Sequence, residues 1–493
     1  MVKVEEEIFI NATQSGCRIA IAERGLLRDI FIERTHNPGT IGNIYKGKVT
    51  RVLPGMGGAF IDIGNERDAF IHTKDVLNSA SVIFTKENLK YTRRPIFELL
   101  HEGQELLVQV TKEPSGNKSQ SVTSNISLAS RYLVYMPYSS QVVISQRIED
   151  QKECERLKDA ILLILENQDG FIVRTAAENV DIYDIHKDAK LLIDRWSKVL
   201  DKSKKAISPS QIYKDLPLPL RVVRDTVCDQ TTRIRVDRQE TMDSLEGFIA
   251  EFIPSKSKIL ELAVDEEPLF DLHKLEDQIS SAIEQRVPLK SGGYLVIEQT
   301  EAMTTIDVNT GVFVGRKDHE ETIFITNLEA ASLIPWQLRL RNIGGVVVID
   351  FIDMENEAYK EQVVRILKKG QQADRVKWNL SQISDFGLVE LTRKRDGSSL
   401  ISVMCEPCEC CRGRGFVKTA DTVCLEILNE IRRRAGRYKE ACLITASELI
   451  VDELINSDPN RIDLLSKALG IEIRLRGEAS YNQEQFDVIG ISI

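Results

Sequence analysis

The chain has 493 residues, 42% of them hydrophobic and 28% charged, and carries a net charge of −10. This is the composition of a globular protein rather than a disordered one, and the length suggests roughly three to five domains. The acidic balance argues against indiscriminate coating of nucleic acid and leaves room only for local basic grooves.

No apolar stretch reaches the roughly 18–20 residues of a membrane helix. The N-terminus is acidic and has no signal-peptide core, so a cytoplasmic protein is expected. Nine cysteines are too few for a secreted disulfide scaffold.

Residues 6–33 hold three short alternating apolar runs, the pattern of an antiparallel meander. Alone it has too little core, so it is expected to pack against a later segment. Residues 39–124 read as a small barrel. Tyr45, Gly47, Val49 and Arg51 alternate with Lys46, Lys48, Thr50 and Val52. A Pro/Gly turn follows, then strand-like runs at 59–64, 69–72 and 103–110 and a turn at 113–118. This spacing resembles an S1 domain, an OB-type barrel that binds single-stranded RNA. In such a barrel Phe60 and Phe70 would stack on bases and Lys112 and Lys118 would meet phosphates. Each stacked base contributes about 1–3 kcal/mol. The alternative is that both phenylalanines fill the barrel core, where strand aromatics commonly sit.

Helical periodicity marks 150–166 and 184–200. Between them a short apolar strand ends on Arg174 and Thr175. A guanidinium fork beside a hydroxyl suits a phosphate clamp; an ordinary surface pair is the other reading. Residues 201–220, rich in lysine, serine and proline, read as a linker or domain edge. Residues 221–285 mix strand and helix without recognisable chemistry.

Three β-branched runs at 294–298, 304–309 and 346–353 are each about strand length. Two of them finish on an aspartate, Asp307 and Asp350, with Asp353 close behind. Carboxylates where buried strands emerge suit a hard divalent cation such as Mg²⁺; aspartate at a strand end also commonly starts a turn. Pro335 and Trp336 interrupt a helical pattern at 322–341, where proline removes a hydrogen bond and predicts a kink. Another helix is expected at 356–378. Cys405, Cys408, Cys410 and Cys411 form a metal-binding or redox-active cluster. A small α+β tail covers 419–493, with a helix at 421–436 and strands near 441–446 and 471–475. Candidate basic grooves are Arg221, Arg224, Arg233, Arg235 and Arg238, then Arg339 and Arg341, then Arg393, Lys394 and Arg395; each cluster reads equally as a solvated face.

Taken together, the chain resembles the ribonuclease E/G family, in length its shorter branch. The resemblance runs in order through 39–72, 171–177, 290–311, 337–354, 386–395, 405–415 and 481–488. It implies a multidomain α/β and α+β fold. Residues 1–38 plus 220–282 would form a split RNase H-like domain. Inserted in it would be the S1 barrel (39–124) and a 5′-sensor segment (125–219). A DNase I-like catalytic domain (283–403), a zinc link (404–418) and a small C-terminal assembly domain (419–493) would follow.

The implied activity is Mg²⁺-dependent endonucleolytic cleavage of single-stranded RNA by water, in rRNA processing and mRNA decay, with a preference for 5′-monophosphorylated ends. Asp307 and Asp350 match the Mg²⁺ ligands, Asn309 a residue that positions the attacked phosphate, and Asp353 a neighbour of the site. Arg174 and Thr175 match the 5′-monophosphate pocket, and Lys377 a supporting basic residue. Zn²⁺ would be shared between subunits of a homodimer or dimer of dimers through Cys408 and Cys411, with Cys405 next in line. Pro335 and Trp336 depart from the family's pattern, as does the extra cysteine in the link. The six histidines lie in no paired motif, which disfavours a metal-free route through the 2′-hydroxyl. The competing reading is a non-catalytic RNA-binding or assembly protein on the same scaffold; retention of Asp307, Asn309 and Asp350 speaks against it.

Overall fold

The computed structural model describes residues 5–491 apart from 37–38, 78–79, 85–88, 115–117, 165–168, 265–266, 312–318, 385, 435–440 and 457–458. The middle of the turn expected at 113–118 and the expected helix ends at 166 and 436 therefore lie outside the described residues. The chain divides into two units, residues 1–403 and 404–493.

In the first unit the N-terminal meander does not stand alone. Strand Glu6–Ala12 pairs antiparallel with Gly16–Glu23 and, on its other edge, parallel with Thr231–Val236. The five-stranded sheet runs Leu260–Leu262, Thr231–Val236, Glu6–Ala12, Gly16–Glu23, Leu26–Arg34. Its apolar face (Ile8, Ile10, Ile19, Ile21) packs on helices Leu218–Thr226 and Gln239–Phe252. Burying that face is what recruits a segment more than 200 residues away.

Between these halves the chain forms a barrel. Strands Ile44–Leu53, Gly58–Asp62, Ala69–His72, Ser121–Thr123 and Glu105–Lys112 pair in that order, and the last closes on the first. Val49, Ala59, Ile61, Ala69, Ile71, Val108 and Val110 fill it. Sequence alternation placed Arg51 on the Tyr45–Val49 face. The structure corrects this: the register shifts between Val49 and Arg51. A bulge inserts one residue and turns the strand, so Tyr45 and Val49 are buried while Arg51 is exposed.

A four-stranded sheet follows, ordered Leu128–Ala129, Leu133–Met136, Gly170–Val173, Val142–Ile144. Helices Gln151–Leu162 and Ile182–Lys205 cover it through Leu157, Ile161, Ile185, Ala189 and Leu192.

The last sheet of this unit has six strands: Arg286–Pro288, Tyr294–Gln299, Met303–Asn309, Gly345–Asp350, Leu388–Arg393 and Trp378–Ile383. Only Met303–Asn309 and Gly345–Asp350 run parallel, and helix His319–Leu340 makes the crossover a parallel pair requires. That helix and Glu357–Ala373 cover one face. Along each strand alternate side chains enter this core, which leaves Asp307 and Asp350 on the open face. The kink expected at Pro335 does not divide the helix, which runs unbroken from His319 to Leu340. The ring faces Gly370 of the second helix, where any β-carbon would lie 2.3 Å from Pro335 Cγ. A residue without a side chain opposite the proline lets both helices stay close.

The second unit is a three-stranded sheet, Glu472–Gly477, Ala441–Ala446, Phe486–Ile491, with helices Ala420–Arg434, Glu448–Asn456 and Pro459–Leu469. Ala441–Ala446 pairs parallel with the first of these strands and antiparallel with the last.

Candidate active site and RNA-contact surfaces

In the parallel pair, Asp307 is the direct partner of Asp350. Neighbouring strands lie about 4.8 Å apart, so the two carboxylates stand side by side, both exposed. Asn309, two residues on along the same face, donates from Nδ2 to Asp307 Oδ2 at 2.8 Å. Partial desolvation raises the Asp350 carboxyl above its ordinary value, and the charges of Asp307 and Asp353 push it further.

Asp353 follows in the segment leaving the strand. Its Oδ1 would lie 2.9 Å from a β-carbon at Gly387. Gly387 has φ +76 and sits in the turn before strand Leu388–Arg393, whose Leu388 is the partner of Asp350. Glycine there permits both the backbone conformation and the approach of the carboxylate.

Asn327 has no counterpart in the sequence reading. It is fully buried on helix His319–Leu340. Its Nδ2 donates to Ile352 O at 2.7 Å and its Oδ1 accepts from Ile352 N at 3.1 Å. The paired bonds pin the segment between Asp350 and Asp353 to the crossover helix. Its place on the helix stripe of Ile323, Ala330, Ala331 and Ile334 was the available signal, since a buried amide demands partners.

On the barrel, Phe60 and Phe70 are direct partners, and their rings meet edge-on with centroids 5.6 Å apart. Both are half-buried on the outer face, opposite the core residues Ala59, Ile61, Ala69 and Ile71. Neither fills the barrel. Phe70 lies over Gly58, where a β-carbon would come within 2.3 Å of its Cζ. The row continues across the sheet: Arg51 partners Phe60, Ser121 partners Phe70, and Lys112 partners Ser121. Two aromatic rings thus lie between two exposed cations, Arg51 and Lys112. Lys118 is exposed at the same end of the barrel, three residues before Ser121.

Arg174 and Thr175 sit at the end of strand Gly170–Val173, on a cleft of about 2050 Å³ that Arg131, Ser145, Arg147 and Asp225 also line. Arg174 donates to Ser130 O at 2.9 Å and pairs with Asp225 Oδ1 at 2.7 Å. Thr175 Oγ1 lies 2.9 Å from Ser145 Oγ. Burial would raise the Asp225 carboxyl, but Arg224 and then Arg174 bring it below the ordinary range. Lys377 is exposed just before strand Trp378–Ile383 and is not among the residues lining this cleft; Arg375 is.

Several candidate basic-groove residues prove structural. Arg339 holds Asp29 with bonds of 2.7 and 2.8 Å, and Arg393 holds Asp374 at 2.8 Å with both nearly fully buried. Arg224 pairs with Asp225 at 3.0 Å. Arg341 is buried and bonds Gln337. Burial would raise the Asp29 carboxyl, but Arg339, then Arg28 and Arg375, draw it down.

In the second unit, the backbone N–H groups of Cys411 and Cys410 hold the Cys408 thiol below its ordinary value. Arg412 N bonds Cys408 O at 2.7 Å, closing a tight turn. Among the described residues no three His, Cys, Asp or Glu side chains gather as a metal site. Glu484 anchors this segment by accepting from Lys418 N at 2.7 Å and pairing with Arg414. That gives the 481–488 motif a structural task.

The closed five-stranded barrel places the chain among proteins that carry an RNA-binding S1 domain. A profile of the S1 RNA binding domain matches residues 40–122, and one of the ribonuclease E/G family matches residues 127–396. The chain is 45% identical to ribonuclease G of Salmonella typhimurium, over 98% of this chain and 99% of that one. It is 44% identical to ribonuclease G of Escherichia coli K12, with the same coverage. It is 34% identical to ribonuclease E of Haemophilus influenzae, over 98% of this chain and 52% of that one. The chain belongs to the ribonuclease E/G family. Among the described residues no helix is long and apolar enough to cross a membrane.

Proposed function

We propose that this protein is a Mg²⁺-dependent endoribonuclease that cleaves single-stranded RNA by attack of water, leaving 5′-phosphate and 3′-hydroxyl ends. The observation that carries the reading is the pairing of Asp307 with Asp350, with Asn309 bonded to the first. Two carboxylates with room for water and substrate fit Mg²⁺, which takes oxygen ligands and keeps several waters. When bound there, the ion stabilises charge on a phosphate oxygen and lowers the pKa of a water molecule. Asp307 and Asp350 would hold it. Asn309 orients Asp307 through one amide N–H and presents the other to a phosphate oxygen. Asn327 keeps Asp350 and Asp353 in register.

The barrel row would hold the strand, with bases on Phe60 and Phe70 and phosphates at Lys112 and Lys118. Arg174 and Thr175 would clamp a 5′-monophosphate, giving a preference for such ends. The split pairing of Glu6–Ala12 with Thr231–Val236 supports the RNase H-like assignment, and the six-stranded sheet is our DNase I-like catalytic domain. A structural zinc site needs four ligands. Cys408 and Cys411 from each of two subunits supply four, so zinc staples a homodimer or dimer of dimers. We assign the protein to the cytoplasm, acting on rRNA precursors and mRNA.

The test is cleavage of a fluorescent single-stranded RNA with and without Mg²⁺, by the wild type and by Asp307→Asn. Cleavage that requires both Mg²⁺ and Asp307, with RNA binding retained by the variant, supports the reading. Full activity of Asp307→Asn with Mg²⁺ chelated overturns it.

A further inference from the structure

The open face that carries Asp307 continues past Asn309 into two strands with no assigned role. Tyr294 is the direct partner of Asn309, and Val296 is the partner of Asp307. Arg286, one strand further out, partners Val296. Directly opposed residues project to the same side of a sheet, so all of these share the carboxylate face. The Arg286 guanidinium does not extend into solvent at random. Its Cζ lies 3.6 Å above the centroid of the Tyr294 ring. That contact fixes a flexible side chain beside Asn309 by cation–π attraction. Among the described residues Arg286 has no carboxylate partner, unlike Arg224, Arg339 and Arg393. Among the described residues no acceptor meets its N–H donors.

We propose that Arg286, held by Tyr294, binds a backbone phosphate of the RNA next to the one held at Asp307 and Asp350. The proposal rests on the nuclease reading for the location of the cleaved phosphate. Two strand spacings of about 4.8 Å separate the Arg286 and Asp307 strands, a distance a strand crossing the face covers within one or two nucleotides. A face bearing Asp307, Asp350 and Asp353 repels a polyanion. Arg286 at its edge supplies the opposite charge, and its planar fork suits phosphate oxygens. Arg286 is the substrate-binding group and Tyr294 its positioning residue.

The test measures binding of a fluorescein-labelled single-stranded RNA as a function of salt, in full-length protein carrying Asp307→Asn to prevent cleavage. Removing one phosphate contact reduces the slope of log K against log salt by about 0.7 for a single strand. Arg286→Ala is expected to show that fall and to bind about tenfold more weakly at low salt. Arg286→Gln gives the same fall if the alanine variant does not fold, and Arg286→Lys restores the slope. Tyr294→Phe keeps the ring and behaves as the parent, while Tyr294→Leu weakens binding severalfold with the slope retained. In proteins with Asp307 intact, Arg286→Ala raises KM and leaves kcat within about twofold. An unchanged slope in Arg286→Ala or Arg286→Gln, or loss of thermal stability without a change in slope, overturns the proposal. A wild type that binds RNA but does not cut it counts against the nuclease reading, and the slope still decides Arg286.

Discussion

Asn327→Leu tests whether the crossover helix positions the acidic face. Leucine has the branching of asparagine and is larger, so the substitution removes the two bonds to Ile352, of 2.7 and 3.1 Å, without leaving a cavity. The Ile352 N–H and C=O then lose their partners in a half-buried setting. Each unsatisfied group costs about 1–3 kcal/mol when buried, and the partial exposure of Ile352 points to the lower end. The expected loss is about 2–4 kcal/mol, read as a lower urea midpoint with unchanged slope. The catalytic effect should exceed what partial unfolding explains. Asp350 precedes and Asp353 follows the pinned residue, and a displacement near 1 Å at a reacting centre costs about 10²-fold. Under conditions where the variant is fully folded, kcat is therefore expected to fall by about that factor while KM for RNA stays within about threefold. A variant with wild-type stability and wild-type kcat would refute the reasoning.

Gly370→Ala should destabilise by up to about 2 kcal/mol. The clash with Pro335 Cγ at 2.3 Å costs about 1–3 kcal/mol and outweighs a helix-propensity gain of about 1 kcal/mol. In a Pro335→Gly background both the Cγ and the Cβ contacts are gone, so the same substitution should stabilise; a denaturation cycle showing one sign in both backgrounds would count against the packing described. Phe60→Ala and Phe70→Ala should each weaken single-stranded RNA binding by about 1–3 kcal/mol in fluorescence anisotropy, with little change in melting temperature because both rings stand outside the barrel core. Arg174→Ala should bring the cleavage rates of 5′-monophosphorylated and 5′-triphosphorylated oligomers together; retention of the wild-type ratio would move the 5′ pocket elsewhere. Zinc is expected at about half an equivalent per chain, the stoichiometry of one closed site between two chains, and Cys408→Ser should shift sedimentation toward the monomer.

Much of the acidic site was legible in the sequence. The runs ending on Asp307 and Asp350 read as strands because β-branched residues crowd them, and their aspartates stand where alternation directs side chains outward. Their parallel register was not legible, because a crossover helix sets it. Asn327 stood in plain view, but its partner is a backbone amide 25 residues on. The basic clusters misled for the same reason. Arg339 pairs with Asp29, 310 residues away, and no local pattern reveals that its charge is already matched. Alternation carried the first barrel strand correctly to Val49 and failed at Arg51, because a bulge leaves no mark in the hydrophobic period. The proline in the crossover helix is a local breaker whose accommodation depends on Gly370, a residue of a different helix.

If water cuts RNA at the face formed by Asp307 and Asp350, the chemistry of the product ends shows it. An unmodified single-stranded RNA and one with deoxyribose at the cleaved position should be incubated with the protein in Mg²⁺, and the products analysed by mass spectrometry. Hydrolysis at this face gives 5′-phosphate and 3′-hydroxyl ends, cleavage that survives loss of the 2′-hydroxyl, and no products after chelation. Cyclic 2′,3′-phosphate ends, or a 5′-hydroxyl on the downstream fragment, would contradict it.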